Sequence, residues 1–328
     1  MGTFGKDAGA ALVFLVLYTC MFCYMTFMYL TKRLKFNSRF TILYFHCLIR
    51  MASQACGVAF GILVWDNVNV FIAFLVLSAE GYFSLTIASY YFLKHFEILN
   101  FGQSRLGPKD MPEGKERSMR ALMVTSMIPA FTPWRYWNHD LIAVIDSWLI
   151  PANIIIIAGG SLMAGANNST DLTEAQIQNM LNTAKGLRTA GQAIFLVLTV
   201  VWILLQANTY ARTSKAGLST ATNKLFTVVG ALLLARGVFG LLQALISSLS
   251  YYTVSNYTGD GFTNRFIALE YCLTAVPEFV AAVLLNMSFW TTRSMTTDNG
   301  SHMSMAALKN KEDGPLRRDY DHGYSSSA

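Results

Sequence analysis

Seven apolar stretches run through this chain, at 8–30, 40–64, 68–93, 140–164, 187–210, 224–248 and 266–290. A helix needs about 20 consecutive, mostly apolar residues to cross the hydrocarbon core of a bilayer, and each stretch meets that length. Unpaired backbone groups are too costly in hydrocarbon, so a spanning segment closes its hydrogen bonds internally as a helix or joins a closed barrel. The alternating, turn-punctuated pattern of barrel strands is missing. The sequence therefore predicts an all-α membrane protein, a seven-transmembrane-helix bundle over 1–290 followed by a tail over 291–328. That tail is rich in Ser, Asp, Gly and Lys, lacks an apolar period and reads as disordered. Only 13% of the 328 residues are charged and 53% are hydrophobic, which argues against a soluble fold, where about a quarter of residues carry charge.

Orientation follows from Lys and Arg. Placing the 31–39, 94–139 and 211–224 connections and the tail on one side collects 19 of the 25 basic residues there. Lys6, Lys185, Arg188 and Arg265 fall on the other side, and Arg50 and Arg236 lie within spans. The positive-inside rule then predicts an N-terminus outside and a C-terminus in the cytoplasm. N-glycosylation acceptors agree: Asn167 and Asn168 (Asn-Asn-Ser-Thr) and Asn256 (Asn-Tyr-Thr) fall in connections assigned to the outside. The first span lacks a basic n-region and a cleavage pattern, so it is expected to persist as a reverse-oriented anchor. The expected location is a multi-pass protein of the plasma membrane or an endomembrane.

The connections carry their own expectations. Residues 94–139 read as a cytoplasmic loop whose apolar part, Ala121 to Phe131, is too short to span and lies in the interface with Trp134 and Trp137. Thr173 to Lys185 is polar and helix-forming, and either extends the fifth helix or lies on the membrane. The five cysteines, Cys20, Cys23, Cys47, Cys56 and Cys272, all sit in apolar stretches and are expected to be buried free thiols.

Charge inside a span is costly and marks a bundle interior or a ligand path. Six such residues stand out: Arg50, Glu80, Asp146, Arg236, Glu270 and Glu278. At about 1.5 Å of rise per residue, Glu80, Arg236 and Glu278 fall near the midplane and can form one cluster. Arg50 and Asp146 fall in the cytoplasmic half and are expected to pair. Two readings stay open: these groups lock helix register as ion pairs, or a carboxylate such as Glu278 relays protons or binds a cationic ligand. Pro151 and Pro277 interrupt the fourth and seventh spans, where a kink is expected. Gly57 and Gly61, and Gly237 and Gly240, point to close helix packing.

Enzyme chemistry is not expected. The five histidines, His46, His95, His139, His302 and His322, have no haem, iron or zinc spacing, and no nucleophile elbow or phosphate loop appears. No cofactor and no metal are implied. The formal charge of +6 sits in segments flanking spans, so no nucleic-acid partner is expected.

Three runs carry a resemblance: Gly186-Leu187-Arg188-Thr189-Ala190-Gly191-Gln192, Ala235-Arg236-Gly237-Val238-Phe239-Gly240, and Glu270-Tyr271-Cys272 with Pro277-Glu278-Phe279. Here the chain resembles a group of poorly characterised fungal seven-helix proteins. It is distantly similar to the fungal lipid-translocating exporter family, which is linked to resistance to toxic sterols and sphingoid bases. Arg236, Phe239 and Glu270 match that family's pattern by position, while Gly240 and Gln243 stand where it has a second arginine and a glutamate. The resemblance implies a protein that transports, translocates or senses a small amphipathic molecule or lipid, with membrane lipids as partners. Two other readings remain: a receptor-like protein that signals through a cytoplasmic partner on the 94–139 loop or the tail, and a structural protein with purely structural charges.

Overall fold

The computed structural model of the chain describes residues 5–36, 38–63, 68–107, 141–168, 173–251, 253–258 and 261–292. Among these, seven helices are long and apolar enough to cross a membrane. They are α1 (Lys6–Leu30), α2 (Phe40–Leu63), α3 (Val68–Phe101), α4 (Leu141–Asn168), α5 (Glu174–Lys215), α6 (Ala221–Leu245) and α7 (Asn264–Thr292). Consecutive helices pack side by side, and α1 meets α7 to close the ring. Helix α3 runs through the middle, touching α2, α4, α5 and α6.

The distribution of side chains is inverted relative to a protein in water. Val13, Val16, Phe27, Val197 and Leu204 are each more than half exposed on the outer surface. Arg50, Asp146, Arg236 and Glu278 are buried inside. An apolar exterior around a charged interior is stable only where hydrocarbon is the solvent. The chain is a polytopic membrane protein built as an all-α seven-helix bundle.

Helix ends correct several expected boundaries. The third helix does not stop at Leu93 but continues to Phe101, where the buried Glu97 accepts from Ser104 Oγ (2.8 Å), Arg105 N (3.0 Å) and Thr209 Oγ1 (2.7 Å). One carboxylate thereby ties the end of α3 to α5. The polar run from Thr173 continues without a break into the fifth span, and Gln176 Oε1 accepts from the Thr173 N–H at 3.0 Å. Helix α5 spans 42 residues, about 63 Å at 1.5 Å per residue, roughly twice the hydrocarbon thickness. It ends in a Schellman motif: Leu218 N bonds Thr213 O, Gly217 N bonds Ser214 O, and Gly217 takes φ +67°. The sixth helix ends at Leu245 rather than Ser248. Only Cys47 is a fully buried thiol. Cys20, Cys23 and Cys272 are exposed on the apolar exterior, and all five are free.

The end of the bundle that carries the N-terminus is sealed by aromatic residues. Phe60, Phe71, Phe74, Tyr251 and Phe266 form a separate core, covered by a two-strand hairpin, β1 (Tyr257–Thr258) and β2 (Gly261–Phe262). Phe262 N donates to Asp7 Oδ2 at 2.6 Å, tying the hairpin to the start of α1. Gly61 lies against the Ala8 backbone so closely that a Cβ would stand 2.5 Å from Ala8 N. Asn256 is buried, and its Nδ2 donates to Ser250 O at 2.8 Å, so the nitrogen that a glycan would take is in use within the turn. The side chains of Asn167 and Asn168, the segment beyond residue 107 with its expected interfacial part, and the tail lie outside the described residues.

Candidate intramembrane polar site

The site is organised by α7. Residues Tyr271–Ala275 form one π turn between Glu270 and the Pro277-Glu278 pair. Proline lacks an N–H and crowds the carbonyl four residues back, and a π turn adds one residue to the helix locally. Eight residues of α7 therefore occupy about the space of seven on the facing helix. Glu270 and Glu278 meet Gln243 and Arg236, which lie seven apart on α6. The contacts are Gln243 Nε2 to Glu270 Oε2 at 2.7 Å and Arg236 Nε to Glu278 Oε1 at 2.6 Å.

Glu278 is fully buried and is shared by two guanidinium groups. Arg236 holds Oε1, and Arg50 from α2 holds Oε2 through Nη2 at 3.0 Å. Arg50 also donates to Ser78 Oγ at 3.4 Å. Aromatic faces accept the excess positive charge: Tyr18 lies 5.8 Å from the Arg50 guanidinium carbon and Tyr82 lies 5.2 Å from that of Arg236. Such contacts contribute about 2 kcal/mol when desolvated. Tyr82 is fixed by its hydroxyl, 2.7 Å from Thr199 Oγ1. Gly81 makes the room, because a Cβ there would lie 2.6 Å from Arg50 Cδ and 2.9 Å from Glu278 Oε2.

Of the predicted cluster, Arg236 and Glu278 are brought together and Glu80 is held apart. Glu80 accepts from Asn153 Nδ2 at 2.5 Å, across α3 and α4. The expected Arg50–Asp146 pair is replaced: Arg50 binds Glu278, and Asp146 accepts from the Tyr91 hydroxyl at 3.1 Å. Counting residues along a helix gives depth but not the direction a side chain takes around the axis, and direction chose the partner here. The balance of four acids to two arginines also breaks down locally, since one acid takes both arginines.

Beside the triad lies a cavity of about 60 Å³ between α3, α4, α5 and α6. Arg236, Arg188, Gln192, Gln243 and Tyr251 form its polar part, and Ile72, Leu75, Val76, Ile156 and Ile157 its apolar part. Arg236 Nη1 and Gln192 Oε1 are buried without hydrogen-bond partners among the described residues. Both flank Gly240, whose missing Cβ would lie 2.9 Å from Nη1 and 2.6 Å from Oε1. Burial pushes the Tyr251 phenol well above its ordinary range, and its hydroxyl is hydrogen-bonded to Glu270.

Sequence reasoning passed over Arg188, Gln192, Tyr251, Gly81, Tyr18 and Tyr82. A signal existed for two of them, since Arg188 and Gln192 belong to the Gly186 to Gln192 run of the resemblance. Counting charges puts Arg188 with the outer side, at the mouth of the fifth span; it sits inside α5, where Gly159 admits its stem: a Cβ on that glycine would lie 2.8 Å from Arg188 Cγ. Tyrosines in apolar spans give no such signal. Compared with known proteins, the chain matches no family model, no curated protein and no solved structure.

Proposed function

We propose that this membrane protein takes the polar head of a small amphipathic molecule or lipid into the cavity beside Arg236, with the body of the molecule extending out of it, and translocates the molecule across the bilayer, without catalysing a reaction on it. The observation that carries this reading is the cavity's two-sided lining. Arginine and amide groups front one part and branched aliphatic side chains the other, an arrangement suited to a molecule with a polar head and a hydrocarbon body. Unpartnered polar atoms in a desolvated site favour a ligand that supplies the missing hydrogen bonds.

A second reading, sensing, draws on the same helices. α3 and α5 both line the cavity, and their far ends are locked by Glu97 to Thr209 and by Arg212 standing 4.2 Å from the Phe101 ring centre. A shift at the cavity would be carried to that end as a rigid pair, where a cytoplasmic partner would read it.

The test is flux and binding of a dye-labelled lipid in sealed proteoliposomes, for the wild-type chain and Gln192→Leu. Translocation expects flux that falls in the variant. Binding without flux moves the assignment to sensing, and neither binding nor flux refutes the cavity as a working site.

A further inference from the structure

The cavity shows its donors to a ligand and keeps its acids behind them. Glu278 is turned toward Nε of Arg236 and Nη2 of Arg50, leaving Arg236 Nη1 on the cavity side without a partner. Glu270 is covered in the same way by Gln243 Nε2. Among the described residues no Asp or Glu lines the cavity, whereas Arg188 and Arg236 both do. Arg236 is 5% exposed, so its unused N–H groups are desolvated, and charge-assisted bonds to an anion are strongest in such surroundings.

Resting on the amphiphile-binding reading above, we infer that the ligand is an anionic amphiphile, a carboxylate or phosphate head on a hydrocarbon body. The head sits between Arg236 Nη1, Gln192 and Arg188, the first two held close together because Gly240 carries no Cβ to part them. The amide of Gln192 can turn by half a rotation to present Nε2 as a donor in place of Oε1. Tyr251, whose hydroxyl is hydrogen-bonded to Glu270, closes the cavity wall, and Ile72 with Ile156 face the hydrocarbon. A guanidinium rather than an ammonium is suited to this head because its fork matches the two oxygens of a carboxylate or phosphate. A cationic amphiphile would meet two arginines with no carboxylate in front of them, a repulsion in low dielectric that selects against it.

The test uses the full chain in phosphatidylcholine nanodiscs and three radiolabelled probes with the same chain: oleate, oleylamine and oleyl alcohol. Empty nanodiscs give the background. Oleate is expected to bind at least about tenfold tighter than the other two, and to weaken about tenfold in Arg188→Gln, which removes one charge-assisted contact, and in Gly240→Ala, whose Cβ would push Gln192 and Arg236 Nη1 out of place. Thermal unfolding of both variants confirms that they are folded; Arg188 is only partly buried, so that variant keeps the Glu278 triad. Acetate and inorganic phosphate at millimolar concentration are expected not to displace oleate. Equal or tighter binding of the amine or the alcohol overturns the anion and leaves the amphiphile reading standing. Displacement of oleate by acetate or phosphate alone overturns the hydrocarbon half. Oleate binding untouched in both folded variants overturns the site, and no specific binding of any probe overturns the amphiphile reading itself.

Discussion

Two seams of the bundle are built on opposite principles. Between α4 and α5 the contact is made by removing side chains: a Cβ on Gly191 would fall 2.9 Å from Ala152 O and would overlap Ile156, and one on Gly159 would fall 2.9 Å from Ala184 O. Between α6 and α7 the contact is made by placing charge, with Arg236 on Glu278 and Gln243 on Glu270. The glycine seam fixes how near two helices come. It gains dispersion contacts that lipid chains cannot match at that distance, but it says little about which pairs of residues must face each other. The polar seam fixes register, since sliding α7 by a residue would separate three ionised groups in hydrocarbon. The cavity lies where the two meet, with Gln192 one residue from Gly191 and Gly240 one turn from Arg236.

The sharpest way to break this contrast is Glu278→Ala, which strands both Arg50 and Arg236. Breaking a buried pair from one side costs about 3–5 kcal/mol. Unfolding of the purified chain in detergent should show that loss, with a smaller loss in Arg236→Ala, where Arg50 still holds the carboxylate, and less again in Arg236→Lys. Equal stability of Glu278→Ala and wild type would remove the polar seam from the account. On the other seam, Gly191→Val should cost about 1–3 kcal/mol by overpacking, measured the same way. It should lower stability without changing which residues of α6 and α7 crosslink when cysteines are placed across their interface. A shifted crosslinking pattern would show that the glycine seam sets register too. The mildest test is Tyr82→Phe, which removes the hydroxyl bonded to Thr199 but keeps the ring beside Arg236, and should cost about 1 kcal/mol. A loss as large as that of Arg236→Ala would mean that the hydroxyl, rather than the ring, supports the arginine.

The bundle was legible in the sequence because hydrocarbon leaves so few choices: apolar length gave seven helices, and depth counting brought Arg236 to the level of Glu278. What was not legible depended on direction around a helix axis. Arg50 and Asp146 share a depth, yet Arg50 turns to α7 and Asp146 to Tyr91. Glu80 has the right height for the triad but points toward Asn153. The length of α3 was missed for another reason: hydropathy ends where the apolar stretch ends, whereas Glu97 holds polar helix together beyond it, and for α5 the extension by the Thr173 run, one of the two readings its sequence left open, is the one observed.

The sharing of Glu278 by two arginines also bears on how the chain is made. Arg50 enters the membrane on the second helix to be synthesised and Arg236 on the sixth, but the carboxylate that neutralises both arrives with the seventh. Until then the nascent bundle carries two cations whose final partner does not yet exist. The polar seam is therefore completed only when the seventh helix is in place, and a chain cut short before residue 278 is expected to carry two arginines without the carboxylate they share.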